Sequence, residues 1–230
     1  MPGCPWLLRL GTAMALFGAL AGCGGSGPPP DPHTLLAQAK QRVDGTAALH
    51  FRLTSTDAAG SGPLITGGDG DARRPDGFTG TLQVSLDGFP TTVRIVSLGG
   101  HFFARLPFTT SFRETDPAKY GFGDPAVFLD PVHGFSALLG NAQHPAGRGR
   151  DRLSGEELDE VGCTLPGPEV AALLTSADPA QDVRATFGIT ADHAVRRVVL
   201  TGPFFDARRL STYTLILDKY GENIAVTPPP

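Results

Sequence analysis

A chain of 230 residues with a formal net charge of −4 is long enough to bury a substantial core. It lacks the basic excess that would point to a nucleic-acid partner. Its three cysteines are too few and too scattered for a disulfide framework, and abundant Gly and Pro with arginine favoured over lysine fit a GC-rich bacterial genome.

The first element is Leu20-Ala21-Gly22-Cys23, which reads as a bacterial lipobox. Arg9 and the amino terminus form a positive n-region. Leu10–Ala21 is an apolar run of signal-peptide length, too short to span a bilayer as a helix. Cleavage before Cys23 would free its thiol for a diacylglyceryl group; an ordinary secretory signal with an incidental Cys23 is the alternative. No twin arginine is present, so the general secretory route is expected. The expected division is 1–22 signal peptide, 23–31 flexible linker and 32–227 a single domain. Two or more acyl chains at Cys23 would hold the body on the extracytoplasmic face of the cell membrane.

Asp31-Pro32 opens a helix, as N-cap and first-turn residues, and Gly45 closes it. Leu35, Leu36, Ala39 and Val43 recur at helical spacing. The period then falls to two. Phe51 and Leu53, a weaker strand near 64–71, then Phe78, Gly80, Leu82, Val84 and Leu86 alternate with polar residues. Asp87-Gly88 signals a hairpin, Val93 and Ile95 follow, and Gly99-Gly100 turns the chain into Phe102, Ala104 and Leu106. Asp116-Pro117, Asp124-Pro125 and Asp130-Pro131 repeat the helix-start signal. Phe128 belongs to one short apolar turn, and Phe135, Leu138 and Leu139 form the apolar face of a second. Residues 143–155 suit a strand or an exposed loop. Strands resume over 157–165, a short helix covers 169–175, and strands are expected over 183–190, 195–201 and 211–217. In the last of these, Tyr213, Leu215 and Leu217 share a face. With no βαβ alternation, the fold class is α+β: a strongly curved antiparallel sheet with helices over its concave, apolar face.

No catalytic motif is present: no G-x-S-x-G, no H-E-x-x-H and no P-loop. Six scattered histidines offer no pair at metal-ligand spacing, and neither a metal nor a cofactor is expected. Asp69-Gly70-Asp71 lacks the later ligands of a calcium loop and reads as a hairpin turn. Cys163 reads as a small apolar filler, and His101, on the polar phase of its strand, as a solvated side chain. These observations argue against an enzyme. The apolar faces could simply fill one core.

Several ordered segments carry a resemblance. They are Phe78-Thr79-Gly80-Thr81-Leu82, Leu106-Pro107-Phe108-Thr109-Thr110, Asp116-Pro117-Ala118-Lys119-Tyr120-Gly121 and Asp124-Pro125-Ala126. Further on come Asp130-Pro131-Val132-His133-Gly134-Phe135-Ser136-Ala137-Leu138-Leu139, Gly167-Pro168, Thr212-Tyr213-Thr214-Leu215 and Asp218-Lys219-Tyr220-Gly221. Together they resemble the mycobacterial LppX/LprA/LprF/LprG lipoproteins. The resemblance implies a LolA/LolB-like half-barrel enclosing an apolar cavity. It also implies a multiply acylated lipid or glycolipid as ligand, of phosphatidylinositol mannoside or related type. Such a protein moves lipid across the cell envelope, in some cases beside an efflux-type permease. Strand and helix phase then select the expected cavity wall: Phe51, Leu53, Leu82, Val84, Leu86, Val93, Ile95, Phe102, Ala104, Leu106, Phe128, Phe135, Leu138, Leu139, Tyr213, Leu215 and Leu217. The competing reading is a structural lipoprotein that partners a transporter and carries nothing.

Overall fold

The computed structural model describes Met1 and residues 30–57, 63–86, 88–120, 123–206 and 208–229. The lipobox with Cys23 and most of the expected linker lie outside the described residues. Helix α1 (Pro32–Asp44) starts as the sequence predicts: the Asp31 carboxylate accepts from the Thr34 amide at 2.9 Å, and Leu35, Leu36, Ala39 and Val43 are buried.

Eleven strands follow among the described residues: β1 (Ala48–Thr56), β2 (Pro63–Arg73), β3 (Gly77–Leu86), β4 (Phe89–Leu98), β5 (His101–Arg105), β6 (Arg113–Glu114), β7 (Gln143–Leu153), β8 (Glu156–Leu165), β9 (Val183–Ile189), β10 (Val195–Asp206) and β11 (Arg209–Asp218). They form one open antiparallel sheet in the order β6-β5-β4-β3-β2-β1-β11-β10-β9-β8-β7, curled into a half-barrel. The order dictates where the helices lie. Strands β1 to β6 run outward to one edge, and β7 to β11 return from the opposite edge until β11 pairs with β1. The chain between β6 and β7 must therefore cross the sheet. It carries 3₁₀ turns at Pro117–Tyr120 and Pro125–Leu129 and helix α2 (Phe135–Gly140). Helix α3 (Gly167–Leu173) joins β8 to β9.

The turns at Gly99-Gly100 and between β3 and β4 form as the sequence predicts, with Leu98 opposite His101 and Leu86 opposite Phe89. Both glycines have positive φ, +61° and +78°. Residues 143–153 are a true edge strand, β7. Strand β10 runs five residues past its expected end, through Gly202-Pro203; the register shifts between Gly202 and Asp206, a break in the ladder that accommodates a proline with no N–H to give.

One expectation is corrected. Asp69-Gly70-Asp71 is no turn but the middle of β2, paired on both sides. Both aspartates point to the convex face, where Asp71 bonds His50 at 2.8 Å and Asp69 lies 3.4 Å from Arg52. Gly70 is there for space: a Cβ would sit 2.7 Å from the Gly80 Cα and 3.0 Å from the Phe51 ring. The turn-like composition thus marks a close approach of strands under an aromatic ring.

Tyr213 ties distant strands together. Its hydroxyl crosses β1 and donates to the Ile65 carbonyl of β2 at 2.8 Å, beside a bulge between Ile65 and Gly67. Burial pushes the phenol pKa well above its ordinary value, so the group stays a donor. Tyr213→Phe leaves that carbonyl unpaired in an apolar setting and is expected to cost about 1–3 kcal/mol, read from the urea midpoint. An unchanged midpoint would show that water replaces the hydroxyl.

Candidate functional site

Between the concave face and the crossing segment lies an apolar cavity of about 140 Å³. Its floor comes from six strands: Phe51 and Leu53 on β1, Ile65 on β2, Phe78 and Leu82 on β3, Ile95 on β4, Val198 and Leu200 on β10, and Tyr213 and Leu215 on β11. Its roof comes from Gly123–Pro125, Val127, Phe128, Phe135, Leu138, Val170 and Ala172–Leu174. Val127 and Ala172 line the cavity and are also exposed, so the cavity reaches the surface between the 3₁₀ turn and α3.

An aromatic chain joins roof to floor. Phe128 stacks on Phe135 at 5.5 Å and leans on Phe51 at 6.1 Å, and Phe135 meets Phe187 of β9 edge-on at 6.5 Å. The polar fastenings are few. The Ser97 hydroxyl donates to Asp124 at 2.6 Å, and the same carboxylate oxygen caps the Ala126 amide at 2.9 Å. On the outer side, the Ser136 hydroxyl donates to Asp44 and the Lys40 ammonium donates to the Pro131 carbonyl. Asp124 is the charged residue of the wall among the described residues, and its carboxylate is already engaged.

The expected wall residues divide by position. Phe51, Leu53, Leu82, Ile95, Phe128, Phe135, Leu138, Tyr213 and Leu215 face the cavity. Val84, Val93, Phe102, Ala104, Leu139 and Leu217 are buried in the surrounding core without lining it. Leu106 lies past the end of β5 and is 41% exposed. The Leu86 side chain lies outside the described residues. The wall also contains Ile65, Phe78, Val170, Leu173, Leu174, Val198 and Leu200. Phe78 is on the apolar phase of its strand and Val170, Leu173 and Leu174 on the apolar side of the expected short helix, while Ile65, Val198 and Leu200 simply fall within expected strands. None of these signals distinguishes facing a gap from facing a neighbour.

Cys163 is buried on β8, and desolvation pushes its thiol up to about 11. The folded state therefore keeps a proton that the unfolded chain loses above about pH 9. This contribution is fully present below pH 9 and disappears as pH rises toward 11. In the folded protein at pH 8, Cys163 is expected to resist iodoacetamide and to react once urea unfolds the chain, as intact mass will show. His101 is exposed and bonds Glu114 at 2.7 Å. Among the described residues, no group of three or more His, Cys, Asp or Glu could hold a metal ion. Nor, among the described residues, is any helix long and apolar enough to cross a membrane.

A half-barrel with helices laid over an apolar cavity is the fold that this chain shares with solved structures of LprF and LppX. The chain belongs to the LppX_LprAFG lipoprotein family, whose sequence model matches residues 31–226. LprF from Mycobacterium bovis superposes with a TM-score of 0.72 at 16% identity, over 88% of this chain and 99% of that one. LppX from Mycobacterium tuberculosis superposes with a TM-score of 0.59 at 17% identity, over 86% and 100%. No curated protein matches the chain by sequence.

Proposed function

We propose that this protein is a lipid-anchored carrier that takes acyl chains of a multiply acylated lipid or glycolipid into its cavity and moves the lipid across the cell envelope. The carrying observation is the wall itself: apolar side chains from six strands and three roof segments, with one carboxylate already engaged. Moving a chain of ten methylenes into water costs roughly 8 kcal/mol at about 0.8 kcal/mol each. A dry pocket offsets that cost without demanding one headgroup. Cys23 would supply the anchor and keep the body at the membrane it loads from, with an efflux-type permease as its partner in release.

The volume sets a condition. A cavity near 150 Å³ accepts a benzene-sized guest. Several acyl chains require the roof to lift from the floor, which the few Asp124 and Phe128 fastenings permit. The same small volume favours a second reading, a scaffold lipoprotein with a filled core. Protein purified from an actinobacterial host decides between them by native mass spectrometry. A carrier is expected to retain a lipid with two or more chains and to speed transfer between vesicles. No retained lipid and transfer no faster than a blank would leave the scaffold.

A further inference from the structure

The linker expected from the sequence would hold the body near a membrane without choosing which side faces it. The exposed apolar side chains make that choice. Strands β1, β3, β5 and β10 end, and β2, β4 and β11 begin, at one end of the half-barrel. Phe89 opens β4 there and is 77% exposed; Leu210, at the start of β11, is 56% exposed; Phe108, just past β5, is fully exposed. Three separate segments thus each present a large apolar side chain at the same end. Arg113, Arg208 and Arg209 stand exposed beside them, and none forms an ion pair with a described residue. Asp57, Asp182 and Asp206 are also exposed at this end, the last holding the Arg208 amide at 2.8 Å. Helix α3, which borders the opening of the cavity, connects β8 and β9 at this end too.

We propose that this end docks on an anionic phospholipid bilayer, with Phe89, Phe108 and Leu210 entering the interface and the arginines meeting lipid phosphates. Isolated tips spread along an arc do not make the continuous area of about 1,000 Å² that a stable protein interface needs. A fluid bilayer accepts such tips one by one, and arginine beside apolar side chains is the chemistry of interfacial binding. The proposal rests on the carrier reading for its purpose, because it turns the cavity opening toward the lipid source.

The test uses the chain from residue 24 onward. That stretch contains the whole family match, residues 31–226, and every described residue except Met1. Sedimentation with phosphatidylcholine vesicles containing phosphatidylglycerol is compared for the parent and for Phe89→Ser/Phe108→Ser/Leu210→Ser. The triple variant is expected to bind at least 10-fold more weakly while loading lipid from detergent micelles as the parent does. Arg208→Glu/Arg209→Glu is expected to weaken binding only on anionic vesicles. Equal sedimentation of parent and triple variant overturns the proposal, as does a concentration-dependent dimer that the triple variant abolishes. If vesicle binding follows the proposal but no form loads lipid from micelles, the carrier reading fails and the docking surface stands.

Discussion

Leu82→Trp is expected to abolish lipid occupancy while leaving the stability of the fold nearly unchanged. Leu82 is buried but borders the open volume, so an indole has somewhere to go. Val84, two residues along the same face of β3, is the control. It is fully buried and does not line the cavity, so Val84→Trp must displace packed atoms, at about 1–3 kcal/mol. For a domain of this size that lowers the melting temperature by roughly 2–4 °C per kcal/mol. Thermal melts and native mass spectra of the two variants read both effects. If Leu82→Trp destabilises as much as Val84→Trp, the space beside Leu82 cannot accept atoms and the carrier reading loses its main support.

Phe135→Ala is expected to have the largest effect on stability of any single change considered, about 3–5 kcal/mol. Phe135 is 2% exposed at the first position of α2 and lies between Phe128 of the roof and Phe187 of the sheet. Its removal leaves a void at the seam where roof meets floor. Equilibrium urea unfolding measures the loss. A cost below about 1 kcal/mol would mean that the roof collapses to fill the void, as the spread of such substitutions allows. In that case ligand occupancy, rather than stability, should fall.

How much of this was legible in the residues can be judged element by element. Period-two alternation placed Phe51, Leu82, Ile95 and Tyr213 on one face, and the absence of βαβ units made the sheet antiparallel. Asp31-Pro32 and Gly45 bounded α1 because caps are local chemistry. Asp69-Gly70-Asp71 misled for an equally local reason. Gly flanked by Asp has the composition of a turn, while the cause of the glycine is non-local: Gly80 and the Phe51 ring leave no room for a Cβ. Asp130-Pro131 carried a helix-start signal, yet α2 begins only at Phe135. The Asp130 carboxylate instead holds the Val132 and His133 amides of a preceding turn.

Leu82 and Val84 mark the limit. By itself the sequence determined which side of each strand is oily, how the strands turn, the absence of any recognisable catalytic motif, and the segments that carry the family resemblance. It could not separate two apolar residues on one face of one strand. Alternation reports only the side on which a residue lies. Whether the opposite layer touches it depends on a gap between elements far apart in the chain, here β3 and the crossing segment 123–138. The tertiary structure alone decided that Leu82 borders open volume, that Val84 does not, and that Phe89, Phe108 and Leu210 share one end. Each of these is a distance between residues that no local pattern encodes.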